Sequence, residues 1–388
     1  MRILIVHNIL NDSVSVSGVL KHYAFMANEW IAAGHPTDFV VAKAGFAKLR
    51  QLSPKAGLLS SDGIFDATKN LSKTWQNMPA FLYRMWNAHW LRLPEKYDVV
   101  YASGPFIFEV YAARVLARRL RAKWVAKVQH VLHSQPKRNG LFNRMFLQSE
   151  RVSTRWMNRR AAAVMCLSKV VQDDYEKLEV ELGLTPSKSI QIGCGIDCAA
   201  MIDGREEKKK FDVVMLGRIH EQKGVFEIPG IWKDVVDKRP EARLLIIGSG
   251  PHRAAMEGKF QTLGVADSVT CAGSVDEAKK NELLARSRVG LSLSYEEGWG
   301  LSVTEFLASA LPVIAYRLPV FEQVFPDQLE LIAPGDAAAA ASEIVALLND
   351  DSRRLDRGSA GREFTRKYDF REIAKEELQI LQNVLNGA

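Results

Sequence analysis

The chain has 388 residues, 47% of them hydrophobic and 25% charged, a length that exceeds one ordinary core and fits two domains of roughly 150 to 200 residues each. No stretch approaches eighteen uncharged apolar residues, and Cys166, Cys194, Cys198 and Cys271 lack a paired C-x-x-C spacing, so neither a membrane-spanning helix nor a disulfide framework nor a zinc site is indicated. The net charge of +7 is uneven: between Tyr111 and Arg160 thirteen Lys and Arg stand against Glu150 alone, a local +12 that leaves the remainder near −5 and suits an anionic partner.

Arg2–Val6 reads as a buried strand of parallel type. His7 and Asn8 interrupt the apolar run and no small-residue cleavage site follows, so a first strand is expected rather than a leader, in a cytoplasmic chain. A polar loop from Asn8 to Gly18 leads into an amphipathic helix over Val19–Ala33, stopped by Gly34, and Thr37–Ala42 forms a second strand. In such a βαβ start the first loop faces the ligand, and the absence there of G-x-G-x-x-G argues against a dehydrogenase. Ala80–Leu93, ending at Pro94, carries Leu82, Trp86, His89, Trp90 and Leu93 at helical spacing. With Lys73, Trp75, Arg84 and Arg92 nearby, the stripe fits a core helix covering the sheet or an interfacial membrane contact. Tyr97–Tyr101, Trp124–Val128 and Val164–Ser168 read as strands, with a basic helix through Val115–Leu120 and Ser168 as the cap of a further helix. The strand at Trp124 runs out at Gln129-His130, and a histidine at the carboxyl end of a parallel strand sits where such sheets bind ligands. Residues 136 to 160 set Phe142, Met145, Phe146, Trp156 and Met157 among arginines, which suits a lipid-facing surface or a helix pair packed on the sheet.

Asp203–Lys210 is charged and poor in apolar residues, as a linker would be. Phe211–Leu216 opens a second domain, followed by a Gly217 turn with Arg218 and Lys223 five positions apart, a spacing able to clamp a pyrophosphate. Arg243–Gly250 is a strand and turn of Rossmann type, and Val269–Gly273 is another strand, with Ser274 in its turn. Val289–Ser294 is a strand ending at Tyr295. Glu296-Glu297-Gly298-Trp299-Gly300 then gives way to a helix over Leu301–Leu311. This strand, glycine loop and helix start aims amide N–H groups and the positive end of a helix dipole at whatever lies above, which favours phosphate. Glu297 and Glu305, eight positions apart, cannot share a metal as an i, i+4 pair would; they suit separate hydroxyls of one long ligand such as a nucleotide sugar. Leu329–Ile332 is a short strand, Ala337–Leu348 a helix, Asp350 and Asp351 a capped loop, and Phe370–Leu385 a charged amphipathic helix.

Glu297-Gly-Trp-Gly-Leu-x-x-x-Glu305, followed by Ala308-x-Ala310-x-Pro312-Val-Ile-Ala315, resembles the signature of retaining glycosyltransferases of family 4. Cys194-Gly-Ile-Asp197 is similar to that family's Asn-Gly-Ile/Val-Asp turn, with Cys194 in place of Asn. The resemblance implies the GT-B fold, an α/β architecture of two Rossmann-like domains facing a cleft. Its parts would be an acceptor-binding domain over 1–199, a linker over 200–210, a nucleotide-sugar-binding domain over 211–370, and a helix over 371–388 crossing back to the first domain. It further implies that Arg218 and Lys223 bind the diphosphate, and that Glu297 with the backbone of Gly298, Trp299, Gly300 and Leu301 holds the donor sugar. Glu305 would take the ribose, the turn at Ser274 would face the base, and His130, in preference to His133, would touch the sugar. Ser17-Gly18 stands where the family has a Gly-Gly pair in the donor site.

The reading is therefore a metal-independent retaining glycosyltransferase that needs no cofactor beyond its UDP-, GDP- or other nucleotide-sugar donor. His130, Glu297, Arg218 and Lys223 would carry the chemistry. A hexosyl or N-acetylhexosaminyl group would pass to a lipid-linked or saccharide acceptor in bacterial surface polysaccharide or glycolipid synthesis, with 111–160 as an inner-leaflet contact and no nucleic acid involved. Two alternatives stand beside it. A sugar-nucleotide epimerase shares the architecture; a non-catalytic basic binder of membrane or nucleic acid fits the charge but leaves Arg218, Lys223, Glu297 and Glu305 without a role.

Overall fold

Continuous apolar runs such as Ile3–Val6 and Leu244–Ile247 belong in sheets covered on both faces, because their side chains alternate between two cores. In the computed structural model, which describes residues 1–8, 18–62, 77–134 and 141–387, the strands form two all-parallel sheets. Each sheet belongs to its own unit: Met1–Gly195 with Phe370–Ala388, and Ile196–Asp369.

The first unit runs β1 (Ile3–His7), α1 (Gly18–Ala32), β2 (Thr37–Val41), α2 (Phe46–Leu52), β3 (Gly57–Ser60), α3 (Met78–Asn87), β4 (Val99–Ala102), α4 (Ile107–Leu120), β5 (Lys123–Val128), α5 (Leu141–Arg160), β6 (Ala163–Cys166), α6 (Lys169–Glu181) and β7 (Ile190–Gln191). Its strand order is β3-β2-β1-β4-β5-β6-β7, so the direction of winding reverses between β1 and β4. One face buries Ile3, Ile5, Tyr23, Trp30 and Phe39; the other buries Leu4, Val6, Val110, Leu116 and Tyr175. The C-terminal helix (Phe370–Asn386) completes the first of these layers. Trp30 Nε1 donates to the Ala374 carbonyl at 3.0 Å, and Phe25 stacks on Phe370 with centroids 5.0 Å apart. Between that helix and the sheet lies a sealed ion pair of Lys127 and Glu377, with Tyr101 donating to Glu377 at 2.8 Å and His22 beside both.

The second unit runs β8 (Phe211–Leu216), α7 (Ile228–Lys238), β9 (Leu244–Ile247), α8 (Arg253–Thr262), β10 (Val269–Gly273), α9 (Glu277–Ala285), β11 (Ser287–Ser292), α10 (Leu301–Ala308), β12 (Val313–Tyr316), α11 (Pro319–Val324), β13 (Leu329–Ile332), α12 (Ala337–Asn349) and α13 (Asp351–Thr365). Its order, β10-β9-β8-β11-β12-β13, reverses between β8 and β11. The turns after β8 and β9 approach so closely that a Cβ on Gly248 (φ +141°) would lie 1.8 Å from the Gly217 carbonyl oxygen. The Gly248/Gly250 pair is thus required by packing.

Several expectations change. The helix expected over Ala80–Leu93 ends at Asn87, where Trp90 and Leu91 both turn back to donate to the Asn87 carbonyl. Residues 200–210 are no free linker, because they are packed on the second unit: Lys209 Nζ donates to the carbonyls of Ala285 and Ser287, and Asn281 donates to that of Ala200. The chain enters that unit at Ile196, ahead of the expected boundary at 199. The loop expected at Asp350-Asp351 is the start of α13, with the Asp350 carboxylate accepting from the Arg353 amide at 2.9 Å. Lys73, Trp75, Pro136–Gly140 and Ser17 lie outside the described residues.

Candidate active site

A doubly wound sheet binds ligands beyond the carboxyl ends of its strands, at the point where the winding reverses. In the second unit that point lies between β8 and β11, and the loops leaving these two strands hold most of the residues singled out above. After β8, Gly217 and Arg218 lead to a short 3-10 turn at Glu221–Lys223, closed by Gly224 in the left-handed conformation. After β11, Ser294 to Gly300 make an irregular loop that ends at α10. The two loops are tied together: the Tyr295 amide donates to the Gln222 carbonyl at 2.9 Å, Gln222 Nε2 donates to Glu296 at 3.2 Å, and Lys223 forms an ion pair with Glu297. Ser294 Oγ also donates to Glu297, at 3.0 Å. The expected diphosphate cation and the expected sugar-binding carboxylate therefore meet directly and are partly open to solvent.

Arg218 is exposed at the end of β8, and its charge, after burial, helps lower the pKa of His220. Gly300, at φ +107°, caps α10, and a Cβ there would come within 2.7 Å of the Phe321 ring, so glycine is required on both counts. The first N–H groups of α10 have no acceptor within the helix and point toward the loop that carries Glu297. Trp299 contributes no side chain to this edge. It is buried, stacked edge-on against Tyr368 at 4.9 Å and donating through Nε1 to Thr304 at 3.2 Å, which leaves its backbone for ligand contact. Gly298 lies in the same loop, and Leu301 begins the helix.

Glu305, one turn before the end of α10, pairs with Lys280 of α9. Lys280 is itself held by Glu277 at 2.8 Å, and although burial opposes its charge, Glu305 and Glu277 outweigh that and raise its pKa. Ser274 is exposed at the end of β10 and hydrogen-bonds the hydroxyl of Ser249 at 3.0 Å. Lys280 was missed because Glu277-Ala-Lys-Lys-Asn281 reads as an ordinary solvated helix; its partner lies 25 residues on.

In the first unit His130 follows β5, partly buried, with its ring edge-on to Phe106 at 6.4 Å. The turn beyond it is fixed by Glu150, whose carboxylate accepts from the amides of Leu132 at 2.6 Å and His133 at 3.0 Å. Both ring nitrogens of His133 are engaged, by Glu150 and Arg151, which makes His133 a structural residue. Gly18 begins α1. Where this sheet reverses, between β1 and β4, a second polar group appears that the sequence did not advertise. His7 Nδ1 lies 2.7 Å from Ser103 Oγ and 3.5 Å from Glu109, all three buried. Burial pushes the Glu109 carboxyl up to about 8 and, with Arg84, the His7 imidazole down to about 4. Both are uncharged near neutral pH, so they form no ion pair, and Ser103, which donates to Glu109 at 3.3 Å and meets His7 at 2.7 Å, links them. The signal was present in His7, which breaks the apolar run of the first strand.

Among the described residues no group of three His, Cys, Asp or Glu side chains could hold a metal, and no helix is long and apolar enough to cross a membrane.

Comparison with known proteins places these features. A family model described as glycosyl transferases group 1 matches residues 200–364, and one described as a glycosyl transferase 4-like domain matches 17–182. Similar sequences include a sulfoquinovosyl transferase of Arabidopsis thaliana, 28% identical over 71% of this chain and 54% of its own length. A phosphatidyl-myo-inositol mannosyltransferase of Mycobacterium leprae is 30% identical over 44% of this chain and 46% of its own. The chain thus spans about half the length of these curated relatives. Among solved structures, sucrose-phosphate synthase of Thermosynechococcus elongatus superposes with a TM-score of 0.79 at 18% identity, covering 100% of both chains. HepE of Anabaena, in complex with UDP and glucose, gives 0.75 at 16%, covering 99% of this chain and 100% of its own. At these identities the likeness establishes the fold, which is GT-B.

Proposed function

This chain belongs to family 4 of the group 1 glycosyl transferases, and on that premise we propose that it moves a sugar from a nucleoside-diphosphate donor to a lipid-linked or saccharide acceptor. The observation that carries the reading is the junction of Lys223 with Glu297 at the reversal point of the second sheet, beside the start of α10. A donor's diphosphate would compete with Glu297 for Lys223, and Arg218 and the α10 amides would add to the positive field that the leaving group requires. Released from Lys223, Glu297 would accept hydrogen bonds from the sugar hydroxyls, and Glu305, held by Lys280, would do the same for the ribose.

The proposed reaction retains configuration without a metal or a covalent nucleophile. The bond from the anomeric carbon to the diphosphate oxygen breaks, and its electron pair leaves with the phosphate. The acceptor oxygen bonds to the same face of the sugar, and its proton passes to the departing phosphate oxygen. Arg218, Lys223 and the helix amides serve by stabilising that charge, while Glu297 orients the ring as it gains oxocarbenium character. The family resemblance adds His130 as a sugar contact, and its position at the carboxyl end of β5 agrees with a ligand-facing role in its own unit.

Thermal-shift screening against nucleoside diphosphates is expected to give stabilisation by one base in preference to the others, without added metal. Arg218→Ala should abolish most turnover, losing on the order of 2 to 4 kcal/mol of barrier stabilisation. Unchanged turnover would remove Arg218 from the reaction, and an inverted anomeric centre in the product, read by NMR, would refute the retaining route.

A further inference from the structure

Two segments that function leaves unabsorbed, the aromatic stripe after Ala80 and the basic run after Tyr111, come together on one surface of the first unit. Helix α3 buries Ala80, Phe81 and Arg84 and turns Leu82 (44% exposed) and Trp86 (52%) outward, with Trp90 (70%) in the turn that follows. A chain of rings joins them to the next two helices. Trp86 lies 6.1 Å from Tyr111 of α4, Tyr111 lies 5.8 Å from Trp156 of α5, and Arg114 covers the Trp156 ring at 5.1 Å. His89 locks the join through a 3.0 Å hydrogen bond to the Tyr111 hydroxyl. On α5 the side opposite its buried residues Glu150, Ser153 and Met157 carries Met145 (51% exposed) and Arg159.

The exposed charge of α4 and α5 is of one sign. From Val99 to Arg160 the acids are Glu109 and Glu150, and both are buried, so every exposed charge on α4 and α5 is positive, Arg118 and Arg159 among them. Exposed indoles and aliphatic side chains within a field of arginines match the boundary between lipid headgroups and acyl chains. Leu82 and Met145 offer nothing to the phosphates or bases of a nucleic acid, whereas they gain by leaving water in a bilayer. We propose that this three-helix surface docks the first unit on an anionic membrane. The inference deepens the proposed function, because a lipid-linked acceptor resides at such a boundary, yet it rests on a surface that contributes nothing to the donor residues.

The test uses the full chain with vesicles of phosphatidylcholine, with and without phosphatidylglycerol, at low and high salt. Wild type should partition to the anionic vesicles at least about tenfold more strongly than to neutral ones, and high salt should release it. Trp86→Ala/Trp90→Ala should lower partitioning severalfold even at low salt, and Arg118→Glu/Arg159→Glu should abolish the preference for anionic lipid. Both variants should keep the nucleoside-diphosphate thermal shift of wild type, which shows them folded with an intact donor site. Equal binding of wild type to neutral and anionic vesicles, variants that bind as wild type does, or retention by single-stranded nucleic acid alone would overturn the docking proposal. Loss of the diphosphate shift in wild type, with vesicle binding intact, would count against the donor reading and leave the docking surface standing.

Discussion

Two of the molecule's Lys–Glu ion pairs differ in their access to water. Lys127 and Glu377 are 1% and 0% exposed and join the sheet of the first unit to its C-terminal helix. Lys223 and Glu297 are 19% and 14% exposed and lie between two loops at the carboxyl edge of the second sheet. In the sealed pair, burial alone would push the Glu377 carboxyl up. Lys127 and the His22 hydrogen bond prevail and hold it down to about 2, so Glu377 is a carboxylate at neutral pH. In the open pair, solvent shares the field and either partner can exchange its contact for that of a ligand at small cost. The same chemistry is a fastener where water is excluded and a poised contact where it is admitted.

The largest effect should come from breaking the fastener. Glu377→Gln strands Lys127 in the core and is expected to cost about 3 to 5 kcal/mol of unfolding free energy, read by denaturant titration. Lys127→Met/Glu377→Leu should recover much of that loss. Next comes the poised pair. Lys223→Met should cost about 2 to 4 kcal/mol of barrier in steady-state turnover but less than about 1 kcal/mol of stability. A larger stability loss than rate loss would erase the distinction between the two pairs. Lys280→Met, which takes that cation away from Glu305, should weaken nucleoside-diphosphate binding by about 1 kcal/mol, roughly five- to tenfold, in calorimetry.

The remaining effect concerns Glu109 and His7 and appears only with pH. The raised carboxyl of Glu109 favours the folded state fully below its ordinary value of 4.5, and that contribution is lost as pH rises toward 8. His7, lowered from 6.5 to about 4, contributes above 6.5 and loses that contribution as pH falls toward 4. The two slopes oppose one another between about 4.5 and 6.5, so the cluster's net decline falls between pH 6.5 and 8. Glu109→Gln, which mimics the protonated acid, should flatten melting temperature against pH in that window. A retained slope would assign it to other groups.

Much of the frame was legible because apolar runs of four to six residues, set between polar turns, fit little besides the strands of a covered parallel sheet, as Phe211–Leu216 and Leu329–Ile332 show. The loop residues Arg218, Lys223 and Glu297 were legible through spacing and resemblance, and the structure joins the latter two directly. Less was legible where polarity misled. Helix α13 was hidden because its sequence is charged and contains Gly358 and Gly361, both poor helix formers. A Cβ at Gly358 would lie 2.2 Å from the Ala310 carbonyl oxygen and one at Gly361 would lie 2.6 Å from Leu307, so these glycines admit α10 rather than end a helix. Helix α2 and strand β3 are too short to impose a period. Lys127 passed as one residue of an alternating strand because its counter-charge is 250 positions away.

That separation has a consequence for synthesis. The second unit is one uninterrupted stretch, Ile196–Asp369, whereas the first cannot neutralise Lys127 until the helix beginning at Phe370 has left the ribosome. Maturation should therefore run against the direction of translation, with the later-made unit acquiring protease resistance while the earlier-begun one waits for the helix that starts at Phe370. Pulse proteolysis of stalled nascent chains would show that inversion as resistance gained first within 196–369, and resistance gained first within 1–195 would refute it.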